Sequence, residues 1–337
     1  MSHAIPYRGR DHGSFADEWG IHRGCSEWWY VTGYLRDEDE KLFSFQLTLI
    51  RARLSIFRPC VLMLALTDFE SGRHRYSQRV ALLGKDVRID DRSVSFADLA
   101  RLEKGKTGMT LKADADGFSL DLALEYGKGA VWHCDNGFLR MGIDEPGQST
   151  IYYSYTNMPT AGTITMGGAS KTVRGKSWMD KQGGPYSIMN RSCMWEWFSL
   201  RFFDDEEMML FSFPQSGYQD GTYIRGDGRS QRLNRYTIVP ADFTYPDGKT
   251  KYSSAWEIAV PALKEERYTV KPLLPGQMNI GYYELLAGIW NPRGDQVGLC
   301  FVELLPGVHN EKFPRTLLTR NSGNPGQGPH ASRRFAD

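Results

Sequence analysis

The sequence predicts an all-β protein made of two antiparallel domains. Short segments rich in β-branched and aromatic residues alternate with turn residues along the chain, which is typical of strands. The 35 glycines and 16 prolines are spread throughout the chain and do not form one tract. Only residues 96–103 have a convincing helical pattern. A chain of 337 residues, 41% of them hydrophobic, can bury a large core and can form two domains.

The first predicted element is a hairpin. Residues 27–35 have the aromatic and β-branched content of a strand, and residues 36–41 are a charged turn. Residues 42–50 then alternate, so that Phe43, Phe45, Leu47 and Leu49 share one face. The other face carries Ser44, Gln46 and Thr48, and we expect it to be the wetter one.

The second half repeats this pattern. Residues 195–203 are an aromatic strand, residues 204–207 an acidic turn and residues 208–213 an alternating strand, which suggests two related domains. Further strands are predicted at 61–69, 118–124, 151–155, 255–260, 281–290 and 297–304.

The segment 159–170 is rich in glycine and proline and is the predicted domain boundary. We therefore expect an N-terminal arm at 1–20, domains at 21–165 and 166–310, and a mobile polar tail at 311–337.

Charge and cysteine content restrict the environment and the partners. The 41 basic and 40 acidic residues give a net charge of +1, which favours neither nucleic acid nor an anionic membrane. The apolar runs are too short for a stable membrane insertion, and residues 1–13 lack the apolar region of a secretory signal. Five widely spaced cysteines indicate reduced thiols and a cytoplasmic location. The sequence does not predict an oligomeric state.

Several chemistries lack a motif. The seven histidines show no metal-ligand spacing, so we predict no metal site. There is no G-x-S-x-G elbow, no phosphate-binding loop and no dinucleotide fingerprint. The expected protein is an enzyme without a cofactor, or a binding protein.

The remaining candidates are carboxylates among aromatic residues. In an extended segment, Glu196 shares a face with Phe198, whereas Trp195 and Trp197 point the other way. A carboxyl on an apolar face has a raised pKa and could be a general acid, or it could pair with Arg191 or Arg201.

Asp180 has the same two interpretations. It could be a proton donor, or it could be an Asx-turn residue before two glycines. Trp28, Trp29 and Tyr30 are typical core residues, although their π faces could stabilise a carbocation.

Several blocks together resemble the AttH-like/carotenoid 1,2-hydratase (CrtC-like) family. They are E-W-W-Y-V-T-G at 27–33, Y-Y-S-Y-T at 152–156, G-K-S-W-M-D at 175–180 and W-E-W-F-S-L at 195–200, in the order of the family and within residues 26–304. The resemblance implies two lipocalin-like β-barrel or sandwich domains with a hydrophobic cleft.

The resemblance also implies cofactor-free chemistry at a carbon–carbon double bond of an oily small molecule. Relatives hydrate carotenoids or prenylated phenolics, or cyclise polyketide polyenes. The implied catalytic residues are Asp180 as proton donor with Glu196 or Glu284 assisting. The implied substrate-binding residues are Trp28, Trp29, Tyr30, Gln46, Tyr153, Trp178, Lys181, Gln182, Trp195 and Trp197. Gly183 stands where many relatives carry tryptophan, which argues against a carotenoid substrate.

Three functions stay open at this point. A hydratase would protonate an alkene and add water to the cation. A pericyclase would fold a polyene and hydrogen-bond an activating carbonyl through Gln46, Lys181 or Gln182. A lipocalin-like carrier would bind a lipid or pigment unchanged.

Overall fold

The fold is taken from a computed structural model. It describes residues 4–53, 59–186, 194–261, 264–306 and 308–309, with the backbone alone at 264–266. The tail expected at 311–337 and the residues Arg191 and Cys193 lie outside the described residues.

Two antiparallel sheets contain all the strands of this part of the chain, and two short 3-10 helices, Gly9–Asp11 and Asp17–Trp19, precede them. The strands of the first sheet are β1 Ser26–Asp37, β2 Leu42–Arg51, β3 Pro59–Asp68, β4 Arg73–Leu82, β5 Val87–Ile89, β6 Ser93–Phe96, β7 Ala100–Lys104, β8 Gly108–Ala115, β9 Phe118–Glu125, β10 Ala130–Trp132, β11 Phe138–Arg140, β12 Ser149–Met166 and β13 Ala169–Gly184. The strands of the second sheet are β14 Glu196–Phe202, β15 Glu207–Phe213, β16 Tyr218–Ile224, β17 Ser230–Leu233, β18 Thr237–Thr244, β19 Tyr252–Val260, β20 Lys264–Pro272, β21 Met278–Asn279, β22 Tyr282–Trp290 and β23 Gln296–Leu304.

The first sheet curls around its own apolar core. Its strand order is β4-β3-β2-β1-β13-β12-β9-β8-β7-β6-β5, with β10 and β11 pairing to β12. Alternate residues of these strands, such as Trp29, Phe45 and Leu111, fill the interior. The all-β fold class predicted from the sequence is confirmed.

The second sheet is smaller and encloses a separate core. Its order is β17-β16-β15-β14-β23-β22-β20-β19-β18, with β21 pairing to β22. Phe198, Trp256 and Ile258 are fully buried in this core. In the part of the chain that the structure describes, no helix has the length and apolar character that a membrane crossing requires.

The prediction of a helix at 96–103 is wrong. Phe96 ends β6, a turn follows, and β7 runs from Ala100 to Lys104. The two strands pair as a tight hairpin, Phe96 opposite Ala100. The apolar spacing fits a hairpin as well as a helix, because Phe96, Ala100 and Leu102 all point into the first core.

The two sheets divide the chain later than the predicted boundary. Residues 165 and 166 lie near the tip of the long hairpin formed by β12 and β13, and both strands belong to the first sheet. The chain passes between the sheets after Gly184 and before Glu196. The glycines at 167 and 168 have positive φ and form the hairpin turn, which explains why this segment resembled a linker.

The face of the first hairpin expected to be wetter is buried. Ser44, Gln46 and Thr48 are all less than 5% exposed. They face the second sheet, since the hydroxyl of Tyr282 on β22 accepts a hydrogen bond from Gln46 Nε2 at 2.8 Å. Polar residues on this face therefore indicate a polar interior between the sheets and not a solvent-exposed surface.

The pairing of β1 with β13 depends on a residue without a side chain. A Cβ at Gly175 would lie 2.0 Å from the carbonyl oxygen of Tyr34, and that backbone atom has no freedom to move away. We expect Gly175→Ala to lower the free energy of unfolding by about 1 to 3 kcal/mol, measured by urea denaturation.

Gly20→Ala is the matched control, because a Cβ there meets no atom within 4 Å. It should leave the unfolding midpoint within error of the parent. Equal midpoints for the two variants would contradict the close approach of β1 to β13.

Candidate active site between the sheets

The two sheets meet across a third cluster of buried side chains, which includes Tyr30 and Trp178 from the first sheet and Trp197 and Phe301 from the second. Tyr30 and Trp178 both contact the ring of Trp197 edge to face, with centroid distances of 5.5 and 6.1 Å. Their strand neighbours Val31 and Met179 point into the first core instead. The strand alternation therefore sends every second residue into the space between the sheets.

Asp180 lies in this inter-sheet space and is 4% exposed. It stands opposite Tyr30 on β1 and Ser154 on β12. The Ser154 hydroxyl and the Trp178 indole N–H both donate to its Oδ1. Burial raises the pKa of Asp180 to about 7 although these hydrogen bonds lower it. Its carboxyl is consequently divided between the neutral and charged forms near neutral pH.

A second layer holds Asp180 in place. Burial lowers the pKa of His133 to about 3, so its ring is neutral. Its Nε2 lies 2.7 Å from Ser154 Oγ, and because Ser154 donates to Asp180, the His133 N–H must donate to Ser154. The guanidinium of Arg201 lies over the Trp178 ring at 5.4 Å and donates to Thr32 Oγ1 at 2.6 Å.

Glu284 on β22 is the centre of a second polar network. It accepts hydrogen bonds from the hydroxyl of Tyr30, from the hydroxyl of Tyr282 at 2.8 Å and from Asn279 Nδ2 at 3.2 Å. Burial and then the nearby charge of Glu303 raise the pKa of Glu284 well above its usual range. Glu284 therefore holds its proton to a higher pH than a solvated carboxyl does, and it orients the two tyrosine hydroxyls.

Glu303 on β23 is a third carboxyl, which the sequence interpretation missed. It pairs across the strands with Glu284 and with Trp197. Its Oε1 accepts the indole N–H of Trp195 at 2.8 Å. Desolvation by the surrounding protein, with a smaller contribution from the charge of Asp180, raises the pKa of Glu303 to about 7 although the Trp195 hydrogen bond lowers it. The sequence feature that could have identified Glu303 is an acidic residue within an apolar strand, the same feature that pointed to Glu196.

Glu303 opens into a cavity of about 260 Å³, here called the inter-sheet cavity. Aromatic, aliphatic and thioether side chains form most of its wall. Its lining residues are Trp28, Tyr30, Thr48, Ile50, Met63, Met194, Trp195, Gly281, Tyr282, Glu303, Leu305 and Pro306. Glu303 is the carboxyl among them, whereas Asp180 and Glu284 lie behind the wall.

A comparison with family models identifies the family of the chain. The model of the AttH-like family matches residues 7–307, nearly the whole chain. The protein belongs to the AttH-like family. No curated protein matches the chain significantly.

Solved structures share the fold of this AttH-like protein. An AttH protein from Nitrosomonas europaea is 22% identical, with a TM-score of 0.79 over 89% of this chain and 99% of that one. Kievitone hydratase from Nectria haematococca is 13% identical, with a TM-score of 0.70 over 91% and 97%. CghA with Sch210972 is 12% identical, with a TM-score of 0.53 over 90% and 94%. At these identities the likeness establishes the lipocalin-like all-β fold.

Seven of the ten substrate-binding candidates face the inter-sheet space. Trp28, Tyr30 and Trp195 line the cavity, and Trp178 and Trp197 lie deeper. The sixth, Gln46, reaches Tyr282 in the wall, as described above. These aromatic residues come from both sheets, as a cleft between two β-domains requires.

Gln182 shares the face of Asp180 but is occupied elsewhere. Its side-chain amide donates to Thr150 Oγ1 at 2.8 Å and packs against Met141 at 3.5 Å. It is 1% exposed and is not part of the cavity wall. In this AttH-like protein its amide is therefore not directed at the cavity.

Trp29 and Lys181 point away from the inter-sheet space. The Lys181 Nζ lies 4.3 Å from the Trp29 ring and 3.9 Å from Glu27 Oε1, inside the first sheet. Burial lowers the pKa of Lys181, and the charge of Glu27 opposes this. Arg51 and His22 also contact Glu27, so this buried charge cluster connects the N-terminal arm to β1 and β2. This cluster lies on the opposite side of the sheet from the cavity, because adjacent residues of a strand face opposite sides.

Tyr153 also points away, since its neighbours Tyr152 and Ser154 face the inter-sheet space. Its ring contacts Trp132 at 5.4 Å and Phe15 at 5.2 Å, and so it packs under the N-terminal arm. The structure gives it no place at the cavity.

Glu196 is separated from Asp180 by the β14 strand itself. As expected it shares the face of Phe198, and that face lies in the second core. Its carboxyl accepts from Ser253 Oγ and lies 2.7 Å from His309 Nε2. Arg201 makes its hydrogen bonds to Thr32 and Ser199 instead. Within the described residues, no cluster of His, Cys, Asp and Glu could hold a metal ion.

The raised pKa of Asp180 predicts how the stability of the protein changes with pH. The pKa rises from 3.8 to about 7 on folding, so the folded state binds the proton more tightly and loses stability as the pH rises through that interval. Asp180→Asn removes this titration. We expect the stability of the variant relative to the parent to increase from pH 4 to pH 7 and then to level off.

Urea denaturation at a series of pH values measures this difference. Asp247→Asn is the control, because Asp247 is an exposed turn residue whose pKa is lowered to about 2. Parallel stability curves for Asp180→Asn and the parent over this interval would contradict the assigned protonation.

Proposed function

We propose that this AttH-like protein is an enzyme that acts, without a cofactor, on a carbon–carbon double bond of a hydrophobic substrate by acid catalysis of the hydratase type. The observation that carries the proposal is the carboxyl of Glu303 in the wall of an apolar cavity, with a pKa raised to about 7. A carboxyl that stays protonated near neutral pH beside an oily ligand is what alkene protonation requires.

The proposed reaction begins with proton transfer. The neutral carboxyl of Glu303 gives its proton to one alkene carbon, and the π electrons form the new C–H bond. The other carbon becomes a carbocation, which the π faces of Trp28 and Trp195 stabilise. Water then adds to the cation, and its surplus proton returns to the Glu303 carboxylate. The net change is the addition of one water molecule, and the reverse sequence is the lyase reaction.

Asp180 and Glu303 act as a coupled pair in this proposal. Both pKa values are about 7, and the charge of Asp180 favours the protonated form of Glu303. Such a pair holds about one proton at neutral pH. When Asp180, fixed by Ser154 and Trp178, is charged, it favours protonation of the residue that faces the cavity. This modifies the expectation that Asp180 itself is the donor.

Cyclisation is the second candidate, favoured by the protonated carboxyl of Glu303 in the cavity wall. That carboxyl would donate a hydrogen bond to an activating carbonyl while the cavity folds a polyene. Carriage of an unchanged lipid or pigment is the third. The substrate class, whether isoprenoid or polyketide, and a cytoplasmic location stay predictions. The four described cysteines, all buried and free, support the location.

Turnover of candidate polyenes and prenylated phenols tests these alternatives. A mass gain of one water indicates hydration, and an unchanged mass with altered retention indicates cyclisation. For hydration we expect Glu303→Gln to lose at least ~100-fold in turnover, because it removes the proton that is transferred. Asp180→Asn should lose less, because it removes only the charge that favours protonation of Glu303. Glu257→Gln is the control, since Glu257 lies on β19 with Thr269 as its partner, away from the cavity.

Hydration that persists in Glu303→Gln at the parent rate would contradict acid catalysis by this residue. Cyclisation retained in both variants would favour the pericyclase. Bound but unchanged substrates throughout would favour the carrier.

A further inference from the structure

The wall of the inter-sheet cavity carries a continuous aromatic surface. The rings of Trp28 and Trp195 are nearly parallel, 15° apart, with their centroids separated by 6.1 Å. Tyr30 and Tyr282 add two further rings to the same wall. The faces of aromatic rings carry partial negative charge and attract cations. The cavity therefore combines apolar contact with a preference for positive charge.

The carboxyl of Glu303 reinforces this preference in its ionised form. Glu303 opens into the cavity, and Glu284 lies behind the hydroxyls of Tyr30 and Tyr282. Neither forms an ion pair with a described residue, and the lining residues include no lysine, arginine or histidine. Within the part of the chain that the structure describes, no cation therefore neutralises Glu303.

Two buried cations among the described residues are held away from the cavity. Arg201 is fixed between the rings of Trp178 and Phe301 and donates a hydrogen bond to Thr32. Lys181 lies inside the first sheet. Because both side chains are fixed by packing, neither can neutralise Glu303 without rearrangement of a core.

We propose that the inter-sheet cavity is a binding site for hydrophobic organic cations, of the alkylammonium class, and that it prefers them to neutral molecules of the same shape. The aliphatic lining residues Ile50, Met63, Leu305 and Pro306 receive the alkyl chain. The trimethylammonium head, whose positive charge is spread over its methyl groups, lies against the indole faces and beside Glu303. A volume of about 260 Å³ accommodates a head group with a short chain.

This inference rests on the proposed function in one respect: the bound cation would take the place of the carbocation that the same cavity stabilises during alkene protonation. An alkylammonium ion places a positive charge among alkyl groups as the tertiary carbocation does, although its centre is tetrahedral and not planar, so it should bind as a stable analogue of that intermediate. Binding itself needs no turnover, and the two ideas can therefore fail separately.

The test compares hexyltrimethylammonium with its neutral isostere, in which a quaternary carbon replaces the nitrogen. Titration calorimetry at neutral pH gives both dissociation constants. We expect the cation to bind about tenfold or more tightly, as one cation–π contact and one partly desolvated carboxylate would provide. Glu303→Gln should reduce this ratio several-fold while keeping the Trp195 hydrogen bond through its amide oxygen. Glu257→Gln, which makes the same change in net charge, should retain the ratio.

Trp195→Leu provides a second variant, expected to lower cation affinity more than affinity for the isostere. Circular dichroism and thermal denaturation establish that each variant is folded. Equal affinities of the two probes for the parent would overturn the inference, and so would a parent-like ratio in both Glu303→Gln and Trp195→Leu. Cation preference without turnover of any alkene would instead remove only the proposed reaction.

Discussion

Desolvation of carboxyl groups between two sheets is the constraint on which the site depends. Asp180, Glu284 and Glu303 come from three strands, β13, β22 and β23, yet all face the same inter-sheet space. None of them forms an ion pair with a described residue, and each instead accepts hydrogen bonds from neutral donors. Neutral donors hold the carboxyls in place without fully compensating their charge, and so their pKa values rise.

The fold supplies this environment because the central strands of each sheet bury both of their faces. One face of β1 and β13 lies in the first core and the other against the second sheet, so that Trp29 and Tyr30 belong to different cores. The same alternation on β14 separates Glu196 from Trp195 and Trp197. Polar side chains at alternate positions of apolar strands therefore lie inside the protein. Burial there gives carboxyls the raised pKa that acid catalysis near neutral pH requires.

The sequence allowed the family, the all-β class and most strands to be predicted, and it located Asp180, Tyr30 and Glu284. Alternation should also have excluded some candidates, since consecutive residues such as Trp28 and Trp29, or Asp180 and Lys181, cannot face one cavity. Glu303 was missed because its role depends on strand pairing with Glu284, which the sequence does not specify. The boundary near 165 was misplaced because a hairpin turn and a linker share the same glycine-rich composition.

The central claim is that the carboxyl of Glu303 in the cavity wall keeps its proton up to about neutral pH. Infrared titration of the protonated carboxyl C=O band measures this directly. The account predicts that part of the band disappears with a midpoint near pH 7 and that this part is reduced in Glu303→Gln. Complete loss of the band by about pH 5, as for ordinary solvated carboxyls, would contradict it.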